Sequence, residues 1–478
     1  MPSSQSMPSK ESEITIYGAT SFVAKHVIRY LLSATTAAAG GPEASSPIRI
    51  TLAGRNSAKL LAVKEHPEFR GSLAISDVFV ASGSDLDLLK KMATRTRVVI
   101  NCAGPYAQYS NFVVQACAET GTDYVDFTGE GYWCATMRQK HGAAAEKSGA
   151  RIISMCGYDS IPSDLAVFAA VDALRNKLGN SATPIQDIKL WHQAFGIANG
   201  GTIHTVIDYE WDAKNDFTQV GPQGRSIRKV PFLVGDPLLL THPTTVRYNP
   251  DYDKVKTSFA LGEWLNQLVS IDPNFSYGVS IPMPMSPINL KVVQASAVAL
   301  KYGDENLSIR ERFLPLGFKW TRTFSILALF PMIGVHICML AVAGLFRVPK
   351  LGKRLAQFLA PPGSGAPDWL VNLGSCSVYA VVTAPHASGN LVDRGYAYLS
   401  FQGDPGNAVT AQCVCEAALT LLLDREKLPP KSIDGFGTPS ELLGSALLDR
   451  FQKCSFRPIT IKLTTRLGTD KNETTIFT

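Results

Sequence analysis

An alternation of strand and helix patterns constrains this chain more than any other feature. Ile14-Thr15-Ile16-Tyr17 is a short β-branched and aromatic run that stops at Gly18. From Phe22 the apolar positions switch to helical spacing through Val23, Val27, Leu31 and Leu32. The exchange repeats: a strand over 48–52 runs into Ala53-Gly54-Arg55, and a strand over 97–101 runs into Cys102-Ala103-Gly104-Pro105-Tyr106. A helix then covers 112–119, and strands follow over 123–127 and 151–155. Strands separated by helices of this length pair in parallel with crossovers on both faces, so residues 13–160 predict a doubly wound parallel α/β sheet. Residues 1–12 read as a disordered leader, and 33–47 (SATTAAAGGPEASSP) as an insertion of small residues.

At 478 residues the chain is long enough for two or three domains, and 45% hydrophobic with 18% charged residues gives it ample core and excludes global disorder. Residues 161–400 read as a second, α+β domain with a mixed sheet, in which 185–192 and 290–300 are expected to be strands. Residues 401–478 read as a helical region, with helices over 407–423 and 440–454, that packs back on the fold. Within the second domain, 324–346 holds no Asp, Glu, Lys or Arg, long enough to cross a hydrocarbon core of about 30 Å. Pro331, Gly334 and His336 interrupt it, which suits a segment lying in a membrane surface better than a straight span; a buried core helix is the other reading.

Lys plus Arg is 46 against 40 for Asp plus Glu, a net +6 without a basic stripe, so nucleic acid is not an expected partner. The polar start MPSSQSMPSKESE is no secretory signal. The chain is therefore expected on the cytoplasmic side, not secreted, with its nine cysteines as free thiols and its sequons silent. Cys413 and Cys415 form a C-x-C pair with no second pair at zinc spacing, so no metal site is expected.

The strand-to-helix corner carries the chemistry. Gly18-Ala19-Thr20-Ser21-Phe22-Val23-Ala24 lies where a dinucleotide pyrophosphate meets backbone N–H groups and the positive end of a helix dipole. Gly18 keeps the tight turn, Thr20 or Ser21 offers a hydroxyl to phosphate, and the backbone at Phe22 and Val23 completes the candidate site. Arg55, with Lys59 close behind, stands at the end of the second strand, where an acidic residue would read NAD. A guanidinium there suits a 2′-phosphate, so NADPH is expected rather than NADH. Asn101, Ala103, Gly104 and Pro105 stand at the end of the strand that begins the later part of the sheet and would shape the approach of a nicotinamide, and the Tyr106 hydroxyl is a candidate for proton transfer. Each feature has a plain structural reading as well: an ordinary corner, a solvated arginine, a packed tyrosine.

Together, Gly18-Ala19-Thr20-Ser21-Phe22, Leu52-Ala53-Gly54-Arg55, Asn101-Cys102-Ala103-Gly104-Pro105-Tyr106, Tyr124-Val125-Asp126 with Gly129-Glu130, and Cys156-Gly157-Tyr158-Asp159-Ser160-Ile161-Pro162-Ser163-Asp164 resemble the saccharopine dehydrogenase-like oxidoreductases. Gly200-Gly201-Thr202, Gly403-Asp404-Pro405-Gly406 and Thr438-Pro439 extend the likeness over nearly the whole chain. Within that family the chain is similar to the trans-acting enoyl reductase branch and to lipid-droplet-associated animal members; it departs at Ser21 and in the 33–47 insertion. The resemblance implies a Rossmann domain joined to a mixed-sheet domain, and reduction of a carbon–carbon double bond on a fatty acyl or polyketide thioester, which a carrier protein can hold. Tyr106 and Tyr158 are the expected proton donors and Asp159 an orienting group. Two alternatives stay open: an imine or ketone reductase of the saccharopine dehydrogenase type, and a non-catalytic nucleotide-binding protein of a membrane or lipid-droplet surface.

Overall fold

The computed structural model describes residues 10–38, 48–196, 245–247, 270–272, 278–283, 285–303, 307–314, 354, 365–432 and 434–470. The alternation at the start of the chain becomes a six-stranded sheet of β1 (Ser12–Tyr17), β2 (Ile50–Gly54), β3 (Ile75–Val80), β4 (Thr96–Asn101), β5 (Asp123–Asp126) and β6 (Ile152–Ile153). Its order is β3-β2-β1-β4-β5-β6, and every pairing is parallel. This is the Rossmann arrangement. Ile14, Ile16, Leu52, Val98 and Ile100 are fully buried because helices cover both faces, which is why these strands read as continuous apolar runs. The winding reverses between β1 and β4, where Tyr17 pairs with Asn101, so the loops leaving these two strands open a crevice at the C-terminal edge.

The crossover helices are α1 (Phe22–Ala38), α2 (Ser57–Lys64), α3 (Leu86–Thr94), a short α4 (Tyr106–Tyr109), α5 (Asn111–Thr120) and α6 (Gly131–Ser148). A long helix, α7 (Ile161–Leu178), then leads out of the sheet. The second sheet contains β7 (Asp187–Phe195), β8 (Thr245–Arg247), β9 (Ser270–Asp272), β10 (Gly278–Pro282), β11 (Ser308–Phe313), β12 (Ser375–Pro385), β13 (Leu391–Gln402) and β14 (Thr460–Asp470). Its order is β14-β13-β12-β7-β11-β10-β9 with β8 on β11, and it is mixed: β7 and β11 run parallel while β12 pairs antiparallel with both β7 and β13. The remaining described helices include α8 (Ser286–Ala299), α9 (Asp368–Leu373), α10 (Thr410–Leu423), α11 (Pro439–Leu442) and α12 (Gly444–Lys453).

Three expectations about this half are corrected. The run 290–300 is helix α8, not a strand: α7, β11 and α11 all pack on it, so it is apolar around most of its circumference and its 3.6-residue period is hidden. The region 401–478 is not helical throughout, since β14 forms an edge of the second sheet. The helix expected over 440–454 breaks at Gly444, whose φ is +48°, into α11 and α12. Pro405–Leu423 is long and apolar enough to cross a membrane, yet 83% of its most apolar window is buried against protein, α1, β4 and β5 among its neighbours. The segment expected at a membrane surface, 324–346, lies outside the described residues.

Candidate active site

The corner after β1 is built by one glycine. Gly18 has φ +74°, and a Cβ placed on it would lie 2.7 Å from the Ala103 nitrogen, so only glycine lets the β1 and β4 loops touch. The Gly18 and Ala19 N–H groups donate to the Ala53 carbonyl at 2.9 and 3.1 Å, fastening the end of β2 to the same turn. The first N–H groups of α1 have no partner inside the helix. The Ser21 hydroxyl accepts one of them, from Ala24 at 3.3 Å, so it caps the helix, while the Ser21 N–H donates to the Gly18 carbonyl at 2.9 Å; the N–H groups of Phe22 and Val23 lie at the positive end of the dipole, which favours an anion. Thr20 is exposed beside that end, Val23 is buried in the core, and the Phe22 ring lies against Gly365, so these last two bring their backbones to the corner and not their side chains.

Arg55 is exposed immediately beyond β2, with its guanidinium carbon 5.6 Å from the centre of the Tyr109 ring. That places a delocalised cation at the edge of the crevice with an aromatic face beneath it. Asn56 caps α2 by accepting from the Lys59 N–H at 3.0 Å, and the Lys59 side chain is exposed one turn into that helix. The tight Gly18 turn at the start of α1 and the exposed fork of Arg55 both suit a phosphorylated dinucleotide.

The other candidates divide. Ala103 and Pro105 are half-buried and Gly104 is exposed, so their backbone lines the crevice. Asn101 does not: it is buried, its amide donates to Ser110 Oγ at 2.8 Å and Tyr124 OH at 2.9 Å, and its carbonyl oxygen accepts from the Ala103 N–H at 3.0 Å. It shapes the loop from beneath. Tyr106 is also corrected as a proton donor. Its ring packs between Phe127 and Trp133, its hydroxyl donates to the Asn101 carbonyl at 3.3 Å, and burial pushes its ionisation well above the usual tyrosine range.

Asp126 and Glu130 have parallel structural duties. Asp126 accepts from the Thr128 and Met155 N–H groups, both at 3.0 Å, and from Tyr124 OH and Ser154 Oγ at 2.8 and 2.9 Å, joining the ends of β5 and β6. Burial outweighs those bonds and raises it to about 6. The Glu130 carboxylate accepts from the Tyr106 and Ala107 N–H groups, both at 2.8 Å, and so caps α4.

Tyr158 and Asp159 leave β6 at the same edge. The Tyr158 N–H donates to Thr410 Oγ1 at 3.2 Å, which ties the loop to α10. Its hydroxyl is buried without a hydrogen-bond partner among the described residues, and burial raises its ionisation well above 10. Asp159 is half-buried; burial, and then the Glu311 carboxylate, push it up to about 6. Next to it lies a cluster that sequence reasoning missed. His192 on β7 and Glu311 on β11, both fully buried, meet at 2.7 Å, and Ser163 from α7 and Ser286 and Asn289 from α8 surround them. Burial pushes Glu311 up, but His192, Ser286 and Asn289 together hold it below the usual glutamate range. A histidine in DIKLWHQAF and a glutamate in SIRERF were the only signals available, and neither segment names its partner 119 residues away.

Residues 14–153 match the saccharopine dehydrogenase NADP binding domain. A Mycobacterium tuberculosis protein whose name places it among the trans-acting enoyl reductases is 30% identical over 458 residues, covering 92% of this chain and 95% of its own length. The trans-acting enoyl reductase of Mycobacterium ulcerans is 29% identical over 457 residues, with 92% and 96% covered. The solved apo saccharopine dehydrogenase (L-Glu forming) of Saccharomyces cerevisiae superposes with a TM-score of 0.49 at 15% identity, covering 95% of this chain and all of that one. The cofactor is NADP(H). With likeness running from one end of the relatives to the other, the chain belongs to the saccharopine dehydrogenase-like oxidoreductases, in their trans-acting enoyl reductase branch.

Proposed function

We propose that this oxidoreductase reduces the carbon–carbon double bond of a 2-enoyl thioester on a fatty acyl or polyketide chain. NADPH, when bound, supplies the hydride. The work of the chain is then to orient the acyl group and to stabilise the negative charge that develops on the thioester oxygen. The observation that supports this most is the unpartnered Tyr158 hydroxyl at the edge that also carries the Gly104 loop, in a chain resembling named enoyl reductases along their whole length. A buried phenol with no acceptor can donate to that oxygen. Arg175 of α7 serves the fold of the second domain: its guanidinium donates to the carbonyls of Thr183, Lys301 and Tyr302.

On this reading the substrate is an acyl chain presented on a carrier protein, and 324–346 seats the chain at the lipid surface from which such groups come. Purified protein mixed with NADPH and crotonyl-pantetheine, or longer 2-enoyl thioesters, is expected to lose nicotinamide absorbance and yield the saturated thioester. Keto acid and amino acid pairs are expected to be inert. Turnover of those pairs with no turnover of any enoyl thioester would replace this reading with the imine reductase one. Loss of vesicle binding on deleting 324–346 tests the surface attachment, and unchanged flotation would refute it.

A further inference from the structure

Two ionisable side chains sit on the inner face of the second sheet, where burial of charge is expensive. In the parallel pairing of β7 and β11, His192 lies opposite Phe313, and Glu311 two residues earlier shares the face of His192. The Glu311 carboxylate takes four donors: His192 Nε2 at 2.7 Å, Asn289 Nδ2 at 2.9 Å and Ser163 Oγ at 3.1 Å on one oxygen, and Ser286 Oγ at 2.6 Å on the other. So many donors keep a carboxylate ionised. For stability alone, an apolar replacement of a buried pair is often as good.

The cluster is complete on one side only. Because Nε2 donates to Glu311, Nδ1 is the nitrogen that is free to exchange a proton. Among the described residues Nδ1 has no hydrogen-bond partner, and neither has the Tyr158 hydroxyl, whose ring meets the imidazole edge-on at 6.4 Å and 89°. The Asn289 carbonyl oxygen is a third buried atom without a partner. Native interiors seldom leave such groups unsatisfied, and here three gather around one imidazole. The place is also the ligand edge of the first sheet. Tyr158 and Asp159 leave β6 there, and α8, which supplies Ser286 and Asn289, abuts the β5 loop so closely that a Cβ on Gly129 would lie 2.8 Å from Ile288.

We propose that His192 is the acid that protonates the α-carbon of the reduced acyl group, and that Glu311, with Ser163, Ser286 and Asn289, positions it; this rests on the enoyl reductase reading. Once the β-carbon has gained its hydride, the thioester is an enolate whose oxygen accepts from Tyr158. The α-carbon then forms a bond to the proton on His192 Nδ1, and the N–H electron pair stays on nitrogen. The imidazole, still donating through Nε2, regains its proton from water. The groups facing it are Glu311 from β11, Ser163 from α7, Ser286 and Asn289 from α8, and Tyr158 and Asp159 from the β6 loop, with Cys376 of β12 close to Tyr158.

The test uses the full chain with crotonyl-pantetheine and the variants His192→Gln, His192→Asn and Glu311→Gln. The histidine variants are expected to lower kcat by roughly 100-fold or more while NADPH affinity and melting temperature stay near wild type. Glu311→Gln, which removes the charge that favours the imidazolium, is expected to move the alkaline limb of kcat to lower pH. In ¹³C-histidine spectra of the NADP⁺-bound protein, the resonance lost in His192→Gln is expected to shift when butyryl-pantetheine is added. Wild-type kcat and pH profile in both histidine variants, or a resonance indifferent to butyryl-pantetheine, would overturn the assignment while leaving enoyl reduction intact. Absence of turnover in the wild type with every enoyl thioester would remove both.

Discussion

Single atoms decide the cofactor corner. At Gly18 a methyl group would have to occupy the space of the Ala103 backbone at a φ of +74°, so both sterics and conformation oppose it. Gly18→Ala is expected to destabilise the fold by about 1–3 kcal/mol in chemical denaturation and to weaken NADPH binding, because the β1 and β4 loops must separate. Arg55 is exposed, with the Tyr109 ring beneath its guanidinium, so its removal is expected to leave the fold alone. Arg55→Ala is expected to weaken NADPH roughly 10- to 100-fold in a fluorescence titration and to leave NADH unchanged, as fits the loss of a charge-assisted bond to the 2′-phosphate. Tyr106→Phe separates the two tyrosines. Its hydroxyl serves a backbone carbonyl, so about 1 kcal/mol of stability should go while kcat stays near wild type. The turn at Gly18 and the place of Arg55 just beyond β2 were legible in the sequence because each stands at a fixed offset from a strand end. Asn101 and Tyr106 were misread because spacing cannot tell a side chain that faces the ligand from one that holds the loop beneath it.

Between elements, the loops after β4, β5 and β6 are tied together by buried polar side chains. Asn101 supports the β4 loop, the Glu130 carboxylate caps α4, and Asp126 accepts four hydrogen bonds that join β5 to β6. Asp126 carries a pH signature. Raised from 3.8 to about 6, it binds a proton more tightly in the folded state, so its contribution to stability is fullest below pH 4 and falls as pH rises through 6. The slope integrates to about 3 kcal/mol at most. Asp126→Asn should flatten that part of the denaturation profile between pH 4 and 6, since Tyr124 OH and Ser154 Oγ, both hydroxyls, can turn to accept from the new amide. An unchanged slope would mean that other groups set it. At this scale the Rossmann strands were legible as short β-branched runs ending in turn residues. Helix α8 was not, because burial on several sides erased the period by which a helix is recognised.

In the whole molecule the two sheets are not independent bodies. One continuous core runs from β1 and α1 through α7 and α10 to β7, β12 and β13, and the last residues of the chain serve both sheets, α10 on β4 and β5 and β14 on β13. The sequence order therefore suggested a helical appendage where the fold has a shared layer. Pairings between distant segments, of which His192 with Glu311 is one, appear only when the second sheet is assembled. The most direct measurement is isotopic: incubate the full chain with NADPH deuterated at nicotinamide C4 and crotonyl-pantetheine, then locate the label by mass spectrometry and NMR. One deuterium on the β-carbon of butyryl-pantetheine is expected; no label in any acyl product, with deuterium recovered instead on the nitrogen-bearing carbon of the adduct formed in a parallel incubation with an amino acid and a keto acid, would contradict it.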